Sequence, residues 1–211
     1  EEMIYNLEEE INNITIIWNN EFTNCNKLFS DLANITFIDL SRFNSSIVTT
    51  STRMFYNCSS LTSIDLNNFN TSLITDFGDM FNYCSLLELD LSEFDTSKST
   101  SFGEMFGYCS SIKFLNLSNF DLSKSRFFHF MFKDCFSLIS IEIKSFYTEN
   151  IININGMFNG CSSLISLDLS TFILNSTSLR NDRVYDILTG CNSKIKLCYN
   201  DNIFENIQNN N

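Results

Sequence analysis

The chain has 211 residues, 44% hydrophobic and 14% aromatic, with no proline and a formal net charge of −12 from 25 Asp plus Glu against 13 Lys plus Arg. That composition excludes a disordered chain, and eight cysteines fall short of a disulfide scaffold's density. The charge excludes nucleic acid and anionic membrane surfaces as natural partners and favours cationic ones, and no apolar run of about 20 residues predicts a membrane span.

The sequence starts at Glu1 with neither Met nor a signal peptide, which predicts a piece of a longer protein. Residues 1–27 read as an N-terminal cap. They begin acidic, at Glu8-Glu9-Glu10, and Ile14-Thr15-Ile16-Ile17-Trp18 is predicted to be a first strand.

Residues 28–181 read as six units of about 26 residues. Met-Phe pairs stand at Met54-Phe55, Met80-Phe81, Met105-Phe106, Met131-Phe132 and Met157-Phe158, in steps of 26, 25, 26 and 26. Leu28-Phe29 precedes them at the same distance, and Ile187-Leu188 is a degenerate last copy. A cysteine follows each Met by four, at Cys58, Cys84, Cys109, Cys135 and Cys161; Cys191 holds that place after Ile187, and Leu32 holds it in the first copy.

An apolar pattern follows each cysteine: Ile35, Ile38, Leu40, Phe43; Leu61, Ile64, Leu66, Phe69; Leu87, Leu89, Leu91, Phe94; Ile112, Leu115, Leu117, Phe120. It continues with Leu138, Ile141, Ile143, Phe146 and Leu164, Leu167, Leu169, Phe172. Alternation at Ile64-Asp65-Leu66 predicts a short strand. The spacing of Phe77, Met80, Phe81, Cys84 and Leu87 predicts the buried face of a short helix, with Ser101 and Glu104 as a capping box one copy on. Neither element can bury a core alone, so the units are expected to stack, strands in parallel, with Phe43, Phe69, Phe94, Phe120, Phe146 and Phe172 in one aromatic column. Residues 182–211 read as a C-terminal cap, with a helix-like 182–190, the strand-like Ile195-Lys196-Leu197 and a fraying tail from Asn206. The predicted fold is an α/β solenoid: a leucine-rich-repeat-like right-handed stack with one short parallel strand and one short helix per rung.

The strings MFYNCSSLTSIDLNNFNTS and MFNGCSSLISLDLSTF resemble the BspA-like leucine-rich-repeat surface proteins, in the 26-residue bacterial surface repeat of the mycoplasma DUF285 type. The resemblance covers roughly Asn24 to Leu197, and Lys144-Ser145-Phe146-Tyr147-Thr148-Glu149 departs from its usual turn. It implies an extracellular or cell-surface protein of a bacterium or unicellular eukaryote, linked to adhesion and host or matrix contact. It brings no enzyme activity, no cofactor and no site residue that transfers.

The strand centres form one predicted outward column, Asp39, Asp65, Asp90, Asn116, Glu142, Asp168 and then Lys196. An acidic stripe of this kind can bind a cationic partner or bridge Ca²⁺ through oxygen ligands. The favoured reading is a solvated polar face, and no EF-hand or Gly-Asp-rich loop supports a metal. The ladder cysteines are expected free and reduced, packing as small hydrophobes although stacked cysteines lie at bridging distance; Cys25 and Cys198 lie off the ladder, too far apart to pair, and Cys191–Cys198 is the remaining bridge to consider. The lone His129, and the lack of any CxxC or phosphate loop, leave no recognisable nucleophile or zinc set. The 29 Asn, alongside much Ile and Phe, read as genome bias, and the seven N-x-S/T sequons among them match chance. The expected function is therefore non-enzymatic: a repeat surface for adhesion or recognition of a protein, matrix or glycan ligand, cationic ones favoured. The alternative is a self-assembling building block of a filament or surface layer.

Overall fold

The computed structural model describes residues 22–144, 151–172 and 186–199. The expected strand at Ile14–Trp18, the column member Phe146, the irregular turn at 145–149 and the tail from Asn206 lie outside them. Among the described residues there are six strands: β1 Phe37–Asp39, β2 Ser63–Asp65, β3 Phe114–Asn116, β4 Ser140–Glu142, β5 Ser166–Leu169 and β6 Lys196–Tyr199. They pair in parallel as three separate two-stranded sheets, β1 with β2, β3 with β4 and β5 with β6.

The expected α/β solenoid with a helix per rung is not what forms. No helix exists among the described residues, including Asp186–Gly190 and the predicted capping box. The reason lies in the backbone around each Met-Phe pair. The residue before the Met and the residue before the Cys both adopt left-handed φ: Arg53 and Asn57, Asp79 and Tyr83, Glu104 and Tyr108, Phe130 and Asp134, Gly156 and Gly160. Two such residues four apart rule out a continuous right-handed helix.

The hydrogen bonds show what replaces it. Met54, Tyr56 and Cys58 donate their N–H groups three residues back, to Ser51, Arg53 and Phe55, as tandem turns. The residues between them, Arg53, Phe55 and Asn57, donate about one repeat onward, to Gly78, Met80 and Asn82. The same alternation holds Asp79, Phe81 and Tyr83 to Gly103, Met105 and Gly107, and Glu104, Phe106 and Tyr108 to His129, Met131 and Lys133. Half of the amides thus bond within the turn and half between successive turns. The turns bury Met, Phe and Cys at the three-and-four spacing that a helix face would show, so the sequence period alone does not separate the two structures.

Three phenylalanine columns fill the core. Phe29, Phe55, Phe81, Phe106, Phe132 and Phe158 stack with centroids 5.1–5.8 Å apart. Phe43, Phe69, Phe94 and Phe120 follow at 6.0–6.4 Å, and Phe77, Phe102 and Phe128 at 5.5–5.9 Å. Each such pair adds about 0.5–1.5 kcal/mol beyond its burial.

One rung departs from the rest. In the others the buried apolar residue stands three after the cysteine, as Leu61, Ile112, Leu138 and Leu164. After Cys84 it stands two after: Leu86 is fully buried, while Leu87, expected inward, is 60% exposed. This is where the step from Met80 to Met105 loses its residue. Leu61, Leu138 and Leu164 close a turn onto the cysteine carbonyl three residues back. The shortened rung lacks one residue of backbone there, about 3.3 Å of reach. Leu87 still bonds to the Thr62 carbonyl, but the segment after it forms no strand, and the sheets break between β2 and β3.

Candidate functional site

Parallel pairing places the predicted column on the outer strand face. Asp39 lies opposite Asp65, beside Phe37 opposite Ser63. Asn116 lies opposite Glu142, beside Phe114 opposite Ser140. Asp168 is exposed on β5 but faces Cys198, while Lys196 pairs with Ser166; the column therefore ends on a thiol and not on the predicted lysine. Asp90 is exposed in the shortened rung, outside any strand.

Most of these residues have a local task. The side-chain Oδ1 of Asp39, Asp65, Asp90, Asn116 and Asp168 accepts the N–H two residues on, from Ser41, Asn67, Ser92, Ser118 and Ser170, at 2.8–2.9 Å. Each thereby closes the turn that leaves its strand position. The hydroxyl and N–H of Ser41 and Ser170, and the N–H and hydroxyl of Ser92, hold the Asp39, Asp168 and Asp90 carboxyls below the usual range. A second set of such turns follows the outer phenylalanines, where Asn44, Asn70, Asp95 and Asp121 accept from Ser46, Ser72, Ser97 and Ser123. Asn44, Asn70 and Asn116, counted above with the genome bias, take part in this turn chemistry.

The cysteines are structural by the same geometry. Cys58, Cys84, Cys109, Cys135, Cys161 and Cys191 each point Sγ at the carbonyl of Phe29, Phe55, Phe81, Phe106, Phe132 and Phe158, at 3.0–3.1 Å. All eight thiols are free, so neither the ladder nor Cys191 and Cys198 form a bridge. Burial pushes the Cys109 thiol up to about 12 and raises Cys84 and Cys135 too. Burial thus keeps the Cys84, Cys109 and Cys135 thiols protonated, as suits packing, while the hydrogen bond with Cys84 lowers Cys58.

Three features were not singled out in the sequence. Buried hydroxyls lock successive rungs: Thr71 Oγ1 accepts from the Asp95 N–H and donates to the Asp95 carbonyl, and Thr96 does the same to Asp121. An aromatic ridge runs over the tandem turns, with Tyr83 and Tyr108 stacked at 4.2 Å, Tyr56 edge-on to Tyr83, Arg53 over Tyr56 and Lys133 over Tyr108. Finally, the break in the strand ladder leaves a depression of about 230 Å³, lined among others by Phe37, Ile64, Asp65, Asp90, Glu93 and Phe94. The single 25-residue step was the available signal for it.

Among the described residues no group of three or more His, Cys, Asp or Glu side chains is arranged to hold a metal ion, and no helix is long and apolar enough to cross a membrane. A protein-family model described as "Mycoplasma protein of unknown function, DUF285" matches residues 2–65, 23–140 and 59–172, together residues 2–172. Neither a curated protein nor a solved structure matches the chain.

Proposed function

The chain belongs to the DUF285 family, whose description assigns no function, and from that footing we propose that it is a non-enzymatic, extracellular or cell-surface repeat protein whose outer strand face recognises a protein, matrix or glycan ligand. The observation that carries this reading is the outward strand register. Where the paired strand has Ser63 or Ser140, β1 and β3 present Phe37 and Phe114, 41% and 62% exposed, next to Asp39 and Asn116. Exposed aromatics beside polar side chains are available to a partner, and aromatic residues are enriched at recognition surfaces. The face rests on a core of stacked phenylalanines, which keeps it rigid and limits the entropy lost on binding. Alternate strand positions buried against that core and exposed to solvent give a partner fixed, regularly spaced contacts.

An array of matrix proteins and glycans probed with the chain tests this reading. Binding of at least one class is expected, reduced about ten-fold or more by Phe114→Ser, the scale of a modest interface hot spot. Ligands bound equally well by Phe114→Ser would remove the strand face from the account.

A further inference from the structure

We infer that the notch at the shortened rung is a docking point for a lysine or arginine side chain carried by an extended segment of a partner protein. This rests on the strand-face reading above and names a subsite of that face. The notch exists because one residue is missing between Cys84 and Leu86, so the segment carrying Asp90 does not join the ladder. Its lining joins two chemistries. Phe37, Ile64 and Phe94 supply apolar surface, while Asp65, Asp90 and Glu93 supply carboxylates. No lysine or arginine lines it.

A long basic side chain matches that pairing: its aliphatic stem lies on apolar surface while its charged end stays with the acids. The part-exposed ring of Phe37 offers a cation–π face as well. About 230 Å³ is room for a single long side chain. An adjoining depression shares Asn67 and Glu93 with the notch and adds Asp95, which extends the acidic track beyond one residue. An extended peptide fits better than a free polyamine, because β2 pairs on one side only, with β1, and its other edge borders the break. The turn bonds from Asn67 and Ser92 already fix the Asp65 and Asp90 carboxylates in place, so little ordering is left for binding.

The test uses the intact chain and a capped Ser-Gly peptide with one central lysine, followed by backbone amide shifts in NMR. Shifts are expected at Ile64–Leu66 and Asp90–Glu93. The double variant Asp90→Asn/Glu93→Gln should weaken binding about five-fold or more, the scale of exposed charge pairs. Asp168→Asn, on the same face but outside the notch, should not. A serine inserted after Ser85 restores the 26-residue step; with an unchanged circular dichroism spectrum, that variant should lose the site. Retained binding by the folded insertion variant, or no binding of the lysine peptide to the parent, would overturn the inference. Equal weakening by Asp168→Asn would also overturn it, while leaving a diffuse strand-face reading standing. Spermine bound as tightly as the peptide would assign the notch to small polyamines instead and sink the protein-partner version. A ligand from the array that still depends on Phe114 separates failure of the notch from failure of the face.

Discussion

At the scale of single residues, chemistry that looks functional is largely spent on turns and rung-to-rung contacts. The Thr96 hydroxyl satisfies both backbone groups of Asp121 while fully buried. Thr96→Val keeps the shape but deprives a part-buried N–H and carbonyl of their partner, and should cost about 0.5–1.5 kcal/mol in urea denaturation. The thiol ladder predicts a pH effect. Burial raises the Cys109 thiol to about 12, above an unfolded value of about 8.5. The folded state therefore holds its proton longer, and the associated stability is complete below about pH 8.5 and declines as pH rises toward 12. Melting curves across that range should show a falling midpoint, with a smaller fall in Cys109→Ala. Thiol-labelling of the native chain should find Cys198, the exposed cysteine, first.

At the scale of elements, the tandem turn replaces the helix and makes its own demands on sequence. Gly156 sits at φ 54°, and an added Cβ would run into the Phe130 ring. Gly156→Ala combines left-handed strain with a clash and should lower the melting midpoint, by about 1–3 kcal/mol of stability. The shortened rung supplies an internal control. Leu86→Ala empties a fully buried position and should cost about 2–5 kcal/mol, while Leu87→Asn, on a 60% exposed side chain, should cost little. The reverse order in a denaturation series would return Leu87 to the core, where its sequence spacing first placed it.

At the scale of the whole molecule, part of the carboxylate excess lies on the strand face, where Asp39 and Asp65 are opposite each other on neighbouring strands. Like charges at that spacing repel, and salt screens them. Adding moderate NaCl should raise the melting midpoint, more for the parent than for Asp39→Asn/Asp65→Asn. NMR Cα chemical shifts over residues 51–59 and 77–85 should lack the helical signature, because no described segment is helical; helical shifts there would contradict the tandem-turn backbone. The sequence by itself determined the spacing of the Met-Phe pairs and cysteines, and which phenylalanines are buried. Burial follows side-chain chemistry at a fixed spacing, and the stacks of Phe55 on Phe81 and Phe69 on Phe94 realise it. Only the tertiary structure decided the conformation between them. Arg53, Tyr83 and Tyr108 carry no sequence mark of left-handed φ, and they adopt it because amides one repeat apart bond across the stack. The outward column was legible from alternation up to Asp168, but its neighbour proved to be Cys198, because register is set by pairing and not by counting. The notch, too, needed the third dimension: a missing residue opens a site only where the neighbouring rungs hold their places around it.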